Sequence, residues 1–307
     1  MAPPLDELKD RLREVNDLNA AAAVLSWDQA TYMPPGGAGA RGRQMATLGR
    51  LAHERFTDAA IGRLLDGLER DTAGRPEDDD TRALLRVTRR EYERAVRVPP
   101  AFVAEMTAHS SLSYQAWTEA RPANDFARMR PLLERTVELS RRYADFFPGR
   151  ASAADPHIDA SDPGMTAASV RALFDELRAR LVPLVRVITS RPPADDSCLR
   201  QRAPAADQLA FGLEVIRRYG YDLARGRCDL THHPFMTSFS PGDVRITTRL
   251  REDELVYALF STLHECGHAL YEQGIRRDFE GLPLATGASA GVHESQSRLW
   301  ENLVGRS

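Results

Sequence analysis

Two histidines four residues apart, His264 and His268, enclose a glutamate in the pentapeptide His264-Glu265-Cys266-Gly267-His268. Leu255, Leu259, Leu263 and Leu270 set an apolar stripe on the same segment, so the spacing predicts a helix over about 252–273 with Gly274 as its stop. On a helix, positions i and i+4 share a face, and both imidazoles can turn a nitrogen towards one cation. Zinc accepts imidazole nitrogen at about 2.0–2.1 Å and prefers tetrahedral surroundings. Glu265 projects to the flank of that pair, where a water polarised by the cation would stand. Cys266, two positions on from His264, points away.

A catalytic zinc site takes three protein ligands and keeps one open position. His293-Glu294-Ser295 offers the third, within a segment that reads as helix from about 288 to 307. The intervening stretch carries Gly281, Pro283 and Gly287, a loop that can fold the second helix back so that Glu294 returns beside His268. His293 competes for the same role. Neighbouring helical residues diverge by about 100°, so only one of the two can face the ion. A cation so held lowers the pKa of water to about 7, and Glu265 would take its proton and deliver it to a leaving amine. Peptide hydrolysis without a covalent intermediate is the expected chemistry. Other zinc-dependent hydrolyses, by an amino- or endopeptidase, share these residues.

The elements that must position this site read as mostly helical. Leu5, Leu8, Leu12, Val15, Leu18 and Ala22 recur at three- and four-residue steps, before a break at Tyr32–Gly37. A further run carries Met45, Leu48 and Leu51, and Asp58 is a candidate N-cap for the helix that reaches Leu68. Helical patterns follow over about 80–97, 99–119, 124–147, 166–189 and 207–219. The Ala-, Asp-, Gly- and Pro-rich stretch Pro148–Pro163 reads as a linker, dividing a helical region 1–150 from a metal-site region 151–307. After Cys228, two short β-prone runs flank Ser240-Pro241-Gly242-Asp243, which predicts a hairpin over about 234–249. Alternation along it places Asp243, Arg245 and Thr247 on one face. There Arg245 would either clamp a free C-terminal carboxylate or form a structural ion pair with a neighbouring acid.

Composition sets the remaining bounds. The 307 residues carry 41 basic and 44 acidic side chains, a net charge of -3, which leaves no cationic surplus for nucleic acid. No apolar run approaches a membrane span, and the first twenty residues lack the pattern of a secretory signal. Three cysteines at long spacings make a disulfide framework improbable and suit a reducing cytoplasm.

These residues resemble the carboxypeptidase Taq family of zinc metallocarboxypeptidases. The resemblance is carried by His233-Pro234-Phe235, Asp243-Val244-Arg245-Ile246-Thr247, the HExxH pentapeptide and His293-Glu294-Ser295-Gln296-Ser297, with Leu25–Gln29 and Tyr32–Gly37 similar to the family's start. It implies a mainly α, multi-helix, zincin-like fold with a small sheet beside an active-site groove. It implies zinc, or cobalt in its place, on His264, His268 and Glu294, with Glu265 as general base. It further implies His233, Asp243, Arg245 and Thr247 near the substrate, peptides with a free C-terminus as substrates, and a cytoplasmic homodimer. The family's later motifs do not occur before Ser307. The expectation is therefore a chain lacking the C-terminal part, with apolar side chains left uncovered around Trp300 and Leu303, and an inactive zinc-binding module is the alternative to an active enzyme.

Overall fold

A computed structural model describes residues 3–200 and 202–307. Among them, eleven α-helices surround one three-stranded sheet. No described helix is long and apolar enough to cross a membrane.

The first layer is α1 (Pro4–Thr31), α2 (Ala38–Phe56), α3 (Ala59–Thr72) and α4 (Asp80–Ala95). Asp58 caps α3 by accepting the Ala60 amide at 2.7 Å, as its position before the apolar run predicts. Leu8 and Leu12 of α1 pack with Ile61, Leu65 and Leu68 of α3 and with Leu84 and Leu85 of α4. Leu282 enters the same cluster from far along the chain, just before the Glu294 helix. α5 (Pro100–Ala120) and α6 (Phe126–Asp145) enclose Phe102 and Leu139.

The segment expected to be a linker folds instead. It forms α7 (Asp155–Ser161), and Asp159 in it takes a 2.9 Å ion pair from Arg94 of α4. Asp155 is buried and accepts the Ser152 and Ala167 amides. The polar residues that read as a linker include turn and cap residues.

Next comes α8 (Ala167–Thr189), opened by a reciprocal capping box between Thr166 and Ser169. It buries none of its residues. Leu173, Phe174, Leu177, Leu181, Leu184, Val187 and Ile188 are all exposed. The uncovered apolar surface expected at Trp300 and Leu303 is centred here instead. Leu303 is 70% exposed, but Trp300 stacks on Tyr219 with centroids 4.7 Å apart.

α9 (Ala205–Arg218) leads into the sheet, whose order is β1 (Cys228–Leu230), β3 (Asp243–Thr248), β2 (Met236–Ser240). β2 and β3 form the expected antiparallel hairpin, with an irregularity at Ser238–Ser240. β1 is additional and runs parallel to β3, pairing Cys228 with Ile246 and Leu230 with Thr248. Val244 and Ile246 face α10 (Leu255–Gln273), packing with Leu263, Cys266 and Ala269. The buried Tyr221 hydroxyl donates to the Val244 carbonyl at 2.7 Å. An added Cβ at Gly226 would lie 2.1 Å from that hydroxyl, so only glycine admits the tyrosine. α11 (Ala290–Arg298) begins at a Ser289 cap and continues into a π-helical turn, Leu299–Val304.

Candidate metal centre

α10 supplies three polar positions one turn apart: His264, His268 and Glu272. α11 crosses it at Gly267. A Cβ there would sit 2.6 Å from Ser297 Cα and 2.8 Å from the Gln296 carbonyl oxygen, so the two backbones touch where no side chain intervenes. Ser297 is fully buried at this crossing. The near-contact brings Glu294, one turn earlier on α11, over the histidine face of α10. On the far side, the Gly291 amide donates to Asp162 Oδ1 at 2.9 Å, which ties the start of α11 to the α7–α8 joint.

Glu294 Oε2 lies 3.5 Å from His264 Nε2 and 3.3 Å from His268 Nε2. The three ligand atoms fall within 4.8 Å of one another. A tetrahedral ion with bonds of about 2.0–2.1 Å has ligand–ligand edges of about 3.3–3.4 Å, so the spacing fits such an ion. The other nitrogen of each ring is already engaged. His264 Nδ1 is 2.9 Å from Glu301 Oε2, and His268 Nδ1 is 2.7 Å from His293 Nδ1. In the tautomer with hydrogen on both Nδ1 atoms, two imidazole lone pairs and a carboxylate oxygen face one point, an arrangement that a cation between them stabilises.

The electrostatics agree. His268 is lowered to about 4 by burial first, then by the neighbouring His293 and His264, so its ring stays neutral at pH 7. Burial raises Glu294, but His264, the Ser297 hydroxyl and Arg298 together outweigh it and hold the carboxyl below its ordinary range. Arg298 Nε donates to Glu294 Oε1 at 2.9 Å. Glu265 is buried at 8% exposure and pushed up to about 8, mainly by burial and then by the Glu294 charge.

His264 and Glu265 lie in a cleft of about 790 Å³, lined also by His233, Pro234, Tyr257, Phe260 and Arg298. Asp243, Arg245 and Thr247 are not among its described lining residues. Arg245 forms a two-point ion pair with Asp243, at 2.8 and 2.7 Å, and its guanidinium lies 4.4 Å from the Trp27 ring centroid. The Thr247 hydroxyl is fully buried and exchanges hydrogen bonds with the backbone of Phe235 at 2.8 and 3.0 Å. These three therefore brace the sheet against α1 and fix the loop that carries His233. Nearby, the Tyr32 hydroxyl meets the buried Asp229, which Arg227 also grips from 2.6 Å.

Sequence reasoning did not single out Glu272, Arg298, Glu301 or Arg306. Glu272 stands four residues after His268, and Glu301 seven after Glu294, so helical spacing placed both on the site's faces. His293 stands behind His268, its Nδ1 2.7 Å from His268 Nδ1.

The fold and this donor set define a candidate metal centre of two histidines and one glutamate on two crossing helices. The chain belongs to the carboxypeptidase Taq (M32) metallopeptidase family, whose model matches residues 7–307. It is 41% identical over 305 residues to thermostable carboxypeptidase 1 of Thermus thermophilus and 34% identical over 304 residues to carboxypeptidase 1 of Bacillus subtilis. Those alignments take in 96% and 98% of this chain but 60% of each relative. An M32 carboxypeptidase structure from Deinococcus radiodurans R1 superposes with a TM-score of 0.83 at 51% identity, over 99% of this chain and 61% of that one. The Pyrococcus furiosus carboxypeptidase gives 0.84 at 31% identity, over 100% and 62%. The chain thus spans about 60% of the length of the relatives it matches.

Proposed function

We propose that the chain carries the metal centre of a carboxypeptidase that releases residues one at a time from the free C-terminus of peptides. His264, His268 and Glu294 hold the ion, zinc by donor set, with cobalt as a working substitute. One observation carries this reading: a carboxylate oxygen stands 3.5 and 3.3 Å from two imidazole nitrogens, close to tetrahedral edges, beside a buried glutamate that opens on a cleft. Bound zinc supplies Lewis acidity and makes water more acidic.

The chain's own residues do the rest. Glu265 accepts the proton of the attacking water and passes it to the departing amine. Positive charge at the convergence point favours its carboxylate form, which burial alone opposes. Arg298 and the Ser297 hydroxyl fix the Glu294 carboxylate so that Oε2 faces the histidines. His233 lines the same cleft, which supports a contact with substrate. The family resemblance extends the proposal to a cytoplasmic homodimer.

The test is release of amino acids from a short peptide with a free C-terminus and from the same peptide amidated there, with Glu265→Ala as control. Release from the free peptide alone, lost in the control, is expected. Cleavage of the amidated peptide would point to another kind of HExxH peptidase. A metal-loaded chain without turnover would replace the enzyme by a metal-binding module.

A further inference from the structure

We propose that His293 and Glu272 form a tautomer relay that readies His268 for the metal, so that His293 is a positioning residue acting through another side chain. The proposal rests on the reading of His264, His268 and Glu294 as ligands. The two ligand histidines are oriented by different devices. His264 Nδ1 meets a carboxylate directly, Glu301, which is itself held by Arg298 Nη1 and Arg306 Nη2 at 3.0 Å each. His268 Nδ1 meets another imidazole, at 2.7 Å, and the two rings lie within 16° of parallel.

A contact between two Nδ1 atoms holds only if one carries hydrogen and the other does not. The far side of His293 decides which. Its Nε2 lies 2.9 Å from Glu272 Oε1, and Glu272 is 4% exposed. With Glu272 as acceptor and His293 as a neutral ring, His293 carries its hydrogen on Nε2 and presents a bare lone pair at Nδ1. His268 must then donate from Nδ1, which leaves its Nε2 free on the side facing Glu294. The order of donors, from Glu272 outwards, ends in the one tautomer of His268 that can bind a cation. An orienting partner of this kind fixes ring and tautomer and raises ligand basicity.

The surroundings hold His293 in place. Tyr271 sets its ring edge-on at 5.1 Å and receives the Ala288 amide on its hydroxyl at 3.3 Å. An added Cβ at Gly287 would lie 2.7 Å from His293 Cδ2, so the loop closes on the ring without room to spare. Glu272 and His268 share one face of α10 at four-residue spacing, and His293 bridges them from α11. The relay thus spans the helix crossing that Gly267 permits, and it uses side chains that neither bind metal nor line the cleft.

The experiment measures Zn2+ affinity by competition with a chromogenic chelator, and the visible spectrum of the Co2+ form, in the full chain and two variants. His293→Leu keeps bulk but removes the acceptor. His293→Asn returns an acceptor oxygen near the Nδ1 position. The relay predicts that Leu weakens zinc binding by about 10–100-fold and alters the Co2+ absorption, while Asn restores affinity to within a few-fold. Circular dichroism and thermal unfolding of the metal-free proteins show whether each variant is folded. Leu and Asn binding equally well, or equally badly while folded, would overturn the relay. If Leu fails to fold, Glu272→Leu takes its place with Glu272→Gln as the conservative partner, and the same split is required. A wild-type chain that binds no zinc overturns the ligand reading and the relay together, whereas tight wild-type binding with no split between the variants overturns the relay alone.

Discussion

Replacing Gly267 by alanine probes the geometry on which the centre depends. The new Cβ would stand 2.6 Å from Ser297 Cα and 2.8 Å from the Gln296 oxygen. Carbon atoms settle at about 3.5–4.0 Å, so α11 must retreat by roughly 1 Å at the crossing. Both obstructions are backbone, and no rotamer change relieves them. Overpacking of this kind costs about 1–3 kcal/mol, against a helix-propensity gain of up to about 1 kcal/mol. A retreat of that size lengthens the 3.3 Å approach of Glu294 to His268 beyond a tetrahedral edge. Metal binding must then force the helices back together, and the restored strain weakens zinc by about 5- to 150-fold. Gly67→Ala is the control, since its Cβ meets nothing within 4 Å and should leave zinc affinity unchanged. Isothermal titration of both variants gives the comparison. Gly267→Ala binding zinc within twofold of wild type, with an unchanged unfolding midpoint, would refute the claim that backbone contact sets the ligand geometry.

Two further outcomes follow. The Glu265 carboxyl, pushed up to about 8 by burial, keeps its proton in the folded metal-free chain, while the unfolded chain loses it near 4.5. The folded state therefore has its full advantage below that value and loses stability as pH rises through the interval to 8, by up to about 1.4 kcal/mol per unit and about 5 kcal/mol in all. Glu265→Gln should remove this dependence, so denaturant titrations with chelator at pH 5 and pH 8 should diverge between the two proteins; parallel behaviour would contradict the burial argument. Because α8 buries nothing, changing both Leu177 and Leu184 to glutamine should shift unfolding of the chain by no more than about 0.5 kcal/mol while lowering binding of an apolar dye. A large loss of stability would mean that α8 packs on the body of the protein.

Much of the site was legible because its information is local. HExxH needs only helical periodicity to mean a shared face, and Leu255, Leu259 and Leu263 provided it. Glu294 followed from ligand counting and a loop with the right breakers. What escaped was non-local or depended on absence. β1 is three residues long, and it is defined by pairing with β3 across an intervening loop and β2, so no alternation marks it. The polar stretch around Asp155 looked like a linker because capping residues and linker residues are the same types. Arg245 had two readings at the sequence level, a clamp on a free C-terminal carboxylate and an ion pair with a neighbouring acid, and the structure contains a pair with Asp243 over Trp27. α8 was readable as an amphipathic helix, but periodicity says which face is apolar and nothing of what covers it. The carboxylates behind the candidate ligands, Glu272 and Glu301, sit at helical spacing, yet a carboxylate there reads as surface until the helix crossing is known.

The most direct measurement is zinc stoichiometry and affinity in the purified chain beside Glu294→Ala. The account predicts one zinc per wild-type chain and a large loss of affinity in the variant, because two imidazole lone pairs alone leave the tetrahedron half built. A wild-type chain that stays metal-free after incubation with zinc, or a variant that binds it as tightly, would contradict it.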